Sequence, residues 1–139
     1  MPASIYFFKA DVAFRLQGKS KIPNWTKKVV KREGGKLASL NIIFCSDKYL
    51  LNINRQFLKH DYLTDIITFD YPGDGITGEI YISIDRVLEN SKGLNISFEH
   101  ELRRVIIHGV LHLLGYKDKT AAQKKAIRKK EDECLVIFR

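Results

Sequence analysis

Cysteine is scarce: Cys45 and Cys134 are the only two in 139 residues, 89 positions apart in apolar surroundings. That pattern excludes a disulfide framework and fits reduced core residues of a cytosolic protein. Long hydrophobic runs are missing too. None approaches the roughly 18 apolar residues that span a bilayer, so no membrane span is expected. The stretch MPASIYFFKADVAF has no basic leader and meets Lys9 and Asp11 early, unlike a signal peptide. No repeat, low-complexity tract or linker divides the chain. Its length suits one core and is short for two, so one domain over residues 1–139 is expected.

Acid is the charge in short supply. Lysine and arginine number 24 against 16 acidic residues, a net charge of +8. The excess is clustered. Lys117 to Lys130 holds seven basic residues and one acid, Asp118, and KKVVKREGGK (Lys27 to Lys36) forms a second cluster. A solvated helix face explains one such run, whereas two, one beginning at a candidate metal site, point toward a polyanion such as nucleic acid.

Patterning predicts an α+β fold. Strands are expected at Ser4–Ala10, Ser39–Ser46, Asp65–Tyr71 and Thr77–Ile84, the last two forming a hairpin around Pro72–Gly75. A helix opening at Pro23 is stopped by Gly34-Gly35, and Ser46 caps a helix over Asp47–Phe57. A short helix follows Asp85 and ends at Gly93. Ser97 caps a long helix closed by Gly115, and Thr120 with Gln123 forms a capping box for the last. The result is a mixed sheet of about four strands packed with several helices.

The long helix carries HGVLHLLGYKD, His108 to Asp118. It approaches the zinc-protease signature H-E-x-x-H-x-x-G-x-x-H, with Gly109 in place of the glutamate and Asp118 in place of the third histidine. Helical geometry sets Glu101, Arg104, His108 and His112 in one narrow sector. The second half of the helix is otherwise apolar on nearly every side, hence buried. Two stacked imidazoles there need partners, and a metal accepts a lone pair from each. Positive φ at Gly115 reverses the chain, letting Asp118 swing back as a third donor. His108, His112 and Asp118 are therefore the expected metal ligands on a zincin-like helix. Two histidines and a carboxylate leave a fourth position open, as catalytic zinc sites do, and one zinc per chain is expected.

These residues resemble the H-G-x-L-H-L-x-G-Y-x-H region of the YbeY-type bacterial rRNA-maturation endonucleases, a family of metal-dependent hydrolases. LNINRQFLKHDYLTDIITF (Leu51 to Phe69), GEIYIS (Gly78 to Ser83) and HEL (His100 to Leu102) are similar to further blocks of that family, in the same order. The resemblance implies a cytoplasmic, zinc-dependent endoribonuclease directed at single strands. Its implied roles are 16S 3′-end maturation and ribosome quality control, so ribosomal RNA and the ribosome are the expected partners. Leu58 stands where the family carries an arginine with a role in activity, and Leu63 and Glu79 replace its proline and aspartate. Asp61, Thr64 and Asp65 match, and they either shape the cleft or serve as turn and strand caps.

Gly109 argues against peptide hydrolysis, because zinc proteases use the glutamate there as base. RNA offers a route needing less help, with metal stabilising charge on a phosphoryl oxygen. Glu101 lies about 10 Å before His108 along the helix axis, which suits a supporting role. Arg104 and Asp65 are the candidate catalytic residues, with an ion pair to Glu101 or Glu99 the alternative for Arg104. Lys117, Lys119, Lys124, Lys125 and Arg128 are the candidate RNA-binding residues. A ribosome-associated RNA-binding factor with a structural metal is the alternative function.

Overall fold

A computed structural model describes residues 4–138. Met1–Ala3 and Arg139, the ends of the expected domain, lie outside the described residues. Nine elements run through the described chain: β1 (Ser4–Lys9), α1 (Lys21–Arg32), β2 (Leu37–Cys45), α2 (Asp47–Phe57), β3 (Ile66–Asp70), β4 (Ile76–Ser83), α3 (Ile84–Leu94), α4 (Phe98–Leu113) and α5 (Ala121–Val136). The α+β class and single mixed sheet of four strands follow the sequence expectation. Sheet order is β1-β2-β4-β3. β1 and β2 pair in parallel, as do β2 and β4, while β3 and β4 form the antiparallel hairpin.

Alternation along the strands assigns each face. Leu40, Ile42, Phe44, Ile80 and Ile82 join a large core with residues of α1, α3, α4 and α5. Cys45 and Ile67 point the other way, into a smaller cluster with Leu50 and Ile53 of α2. Both cysteines are free and buried, as expected. Across the larger core, the Trp25 indole N–H donates to the Cys134 carbonyl at 2.8 Å, tying α1 to α5. No helix among the described residues is long and apolar enough to cross a membrane.

Local sequence sets the helix ends. The Ser46, Ser83, Ser97 and Thr120 hydroxyl oxygens each accept a backbone N–H in the first turn of the helix that follows. Each cap contributes about 1 kcal/mol. The Thr120–Gln123 capping box is complete. Three helix boundaries differ from expectation, the first being α3, which starts at Ile84 under a Ser83 cap and not after Asp85. α1 begins at Lys21, so Pro23 lies inside the first turn, where its missing N–H has no intrahelical partner to lose. Gly93 does not end α3. The helix runs to Leu94, and Asn95 stops it by adopting φ 56°, a left-handed geometry that asparagine tolerates better than most residues.

α4 ends in a reversal that makes the site possible. Gly115 has φ 107°. Its N–H donates to the His112 carbonyl at 3.0 Å, and the Tyr116 N–H donates to the Leu111 carbonyl at 3.0 Å. This paired pattern satisfies the last carbonyls and turns the chain back over the helix end. The Tyr116 hydroxyl then donates to Glu33 at 2.5 Å, fastening the loop to the end of α1.

Candidate metal centre

The reversal sets Asp118 against the two histidines of α4. His108 Nε2 and His112 Nε2 are 2.9 Å apart, and Asp118 Oδ2 lies 3.2 Å from His112 Nε2 and 3.3 Å from His108 Nε2. Four tetrahedral ligands at about 2.0–2.1 Å from an ion stand about 3.3 Å from one another. The triangle of donors is therefore the right size for a small divalent ion. Three sequence-predicted residues are brought together, and one ligand atom from each can hold a metal.

Beneath the triangle lies a carboxylate that the sequence reading did not single out. Glu131 of α5 is 3% exposed. Its Oε2 is 2.5 Å from His108 Nδ1, and its Oε1 accepts from Arg104 Nη1 at 3.2 Å. Opposite an ionised carboxylate, which can only accept, the neutral His108 ring donates through Nδ1 and keeps its Nε2 lone pair for the triangle. A signal was present in the sequence: Ile127, Glu131 and Cys134 recur at i, i+4 and i+7, the buried stripe of α5.

Arg104 is largely committed to protein partners. Its guanidinium lies 3.2 Å from Glu131 and Asp132 and 3.7 Å from Glu101, an arrangement that includes the expected pair with Glu101. Glu101 is itself 4% exposed. Burial pushes its carboxyl above the usual range, with the Arg104 charge pulling the other way. Asp65, half-buried just before β3, is also pushed up by burial, while the His108 charge opposes the shift. Its Oδ2 accepts from Asn90 Nδ2 at 3.3 Å. For His108, burial favours the neutral ring. The Glu131 hydrogen bond and the charges of Glu131, Asp118 and Asp65 outweigh that and raise its pKa.

A cavity of about 330 Å³ opens beside the triangle, and Asp65, Arg104, His108 and Asp118 line it. Lys124 and Arg128, from the exposed side of α5, reach its rim. Lys117, Lys119 and Lys125 are exposed but do not line it. Gly109 does not line the cavity. A Cβ there would stand 2.8 Å from Ile66 Cδ1 and 2.9 Å from Ile80 Cδ1, so the position is occupied by the helix–sheet contact.

A family model described as Endoribonuclease YbeY matches residues 10–139. A protein of that name from Flavobacterium psychrophilum is 49% identical over 132 residues, covering 94% of each chain. One from Amoebophilus asiaticus is 49% identical over 139 residues, covering 99% of this chain and 95% of its own. The solution structure of a Thermotoga maritima protein superposes with a TM-score of 0.63 at 32% identity, covering 95% of this chain and 89% of that one. With the family model matching nearly the whole sequence, the chain belongs to the Endoribonuclease YbeY family.

Proposed function

We propose that the chain is a single metal-dependent endoribonuclease domain over residues 1–139. In this reading it acts in the cytoplasm on single-stranded segments of ribosomal RNA, in 16S 3′-end maturation and ribosome quality control. The observation that carries it is the donor triangle of His108, His112 and Asp118 opening onto a cavity rimmed by Lys124 and Arg128. Membership of the Endoribonuclease YbeY family supplies the reaction class.

Zinc is the ion this donor set favours: imidazole nitrogens suit it, and the carboxylate is also a common ligand. When bound, it supplies a Lewis acid that stabilises negative charge on a phosphoryl oxygen. The chain's own residues do the rest. Lys124 and Arg128 hold phosphates at the rim, with Lys117, Lys119 and Lys125 extending the positive surface. Asp65 lines the cavity as a carboxylate with a raised pKa and is the candidate acceptor for the proton of the attacking hydroxyl. Arg104, engaged by three carboxylates, serves mainly to balance their charge.

The test is RNA cleavage by rigorously purified protein, beside His112→Ala and metal-stripped samples. Loss of cleavage in both and recovery on adding zinc to stripped protein is the expected result, and unchanged cleavage in both rejects the metal role. The lack of a carboxylate at Gly109 favours one second reading, a ribosome-associated RNA-binding factor with a structural metal. Normal rRNA 3′ ends in cells carrying a stable His112→Ala protein would support it.

A further inference from the structure

α5 presents two different surfaces. Its outer side carries Lys124, Lys125 and Arg128, while its inner side buries Ile127, Glu131 and Cys134. A carboxylate in that inner stripe is costly unless both oxygens are paired. Both are: Oε2 meets His108 Nδ1, and Oε1 meets Arg104 Nη1. Arg104 supplies the compensating charge. The contact with His108 therefore contributes something besides neutralisation. It fixes which ring nitrogen bears hydrogen and which way the ring faces.

We propose that Glu131 is the positioning residue of the metal centre. It sets the tautomer and orientation of His108, so that the donor triangle built on α4 is aimed by a side chain of α5. The proposal rests on the reading that the triangle holds a metal ion. All three donors belong to α4 and the loop after it, yet the group that aims one of them arrives from 23 residues further along the chain. Lys124 and Arg128 ride on that helix, so the same docking that prepares His108 also brings the cationic rim into place.

Cobalt(II) titration of the full chain, followed by the visible absorption of the bound ion, tests this without an activity assay. Glu131→Ala is expected to weaken Co²⁺ binding about 10–100-fold, the usual loss for a partner of a metal-binding histidine. Glu131→Gln keeps an acceptor for Nδ1–H but loses the charge. It is expected to weaken binding less and to shift the absorption bands. Cys134→Ala removes a buried side chain of the same helix away from the donors. It should lower the melting temperature of metal-free protein while binding Co²⁺ at wild-type affinity. Wild-type affinity and an unchanged spectrum in folded Glu131→Gln overturn the proposal, even if Glu131→Ala does not fold. So does equal weakening in Cys134→Ala, which would assign the effect to helix docking alone. Failure of the wild-type chain to bind Co²⁺ overturns the metal reading itself.

Discussion

The backbone of Gly109 lies so close to Ile80 that a Cβ on the glycine would stand 2.9 Å from Ile80 Cδ1 and 3.1 Å from its Cγ2. The residue that zinc proteases use as a base is thus replaced here by the point where α4 touches the sheet. Backing the helix away to admit a side chain would carry His108 and His112 with it. Fold and chemistry constrain this position together.

Gly109→Ala sets two effects against each other. Alanine favours the helix by about 1 kcal/mol, whereas forcing a methyl into a packed seam costs about 1–3 kcal/mol. With two contacts under 3.0 Å, the second is expected to win. Gly109→Glu, which restores the protease letter, should cost more than about 3 kcal/mol, because it also drives a carboxylate between isoleucines. Denaturant unfolding measures both, and a glutamate variant as stable as the wild type would contradict this packing. No peptide hydrolysis should be gained.

Asp47 predicts an acid-side loss of stability. The Arg86 hydrogen bond holds its carboxyl below the usual range, with burial opposing and Ser83 assisting. A depressed carboxylate stabilises the fold above its unfolded pKa of about 3.9 and loses that contribution as pH falls through the lower folded value. Asp47→Asn should cost about 1–2 kcal/mol at neutral pH. The difference should vanish below the folded pKa, and a gap that persists at low pH would show another cause.

RNA affinity should fall steeply with salt, and the slope should name the contacts. Replacing Lys124 or Arg128 with alanine should each flatten the plot of log K against log salt by about 0.7, the share of one single-strand phosphate. Lys48→Ala, on α2 across the sheet, should leave the slope unchanged. Equal effects at all three positions would mean diffuse attraction rather than a rim.

Asp65→Asn separates proton transfer from metal binding. The expected outcome is a fall in kcat of about 10²–10⁴ with Co²⁺ affinity retained. In the wild type, burial raises the Asp65 pKa, so activity requiring its ionised form should decline as pH drops through that raised value. A wild-type pH–rate profile in Asp65→Asn would remove it as the acceptor.

Much of this molecule was legible because its signals are local. Ser46, Ser97, Gly115 and the Thr120–Gln123 pair act on backbone groups within four residues, and each does what its sequence context predicts. The proposed metal donors share that property, since a helix turn and one reversal suffice to assemble them. What escaped depends on packing. Glu131 looks like one more charge in a charged segment until α5 is laid on α4, when its place in the Ile127–Cys134 stripe becomes visible. The insertion of β4 between β2 and β3 likewise follows from how helices cover the sheet, which no short window encodes. Gly93 is the more obvious stop by residue type, yet the helix passes through it and ends at Asn95.

The three donors fall within eleven consecutive positions, His108 to Asp118. So short a loop costs little entropy to close even in a denatured chain, so an ion held by the proposed triangle should also bind the unfolded segment. An ion stabilises a fold only by the ratio of its affinities for the folded and denatured states. Added zinc should then protect this protein against heat less than its folded-state affinity suggests. The shortfall is a direct measure of what tertiary structure adds to a site already written into one stretch of sequence.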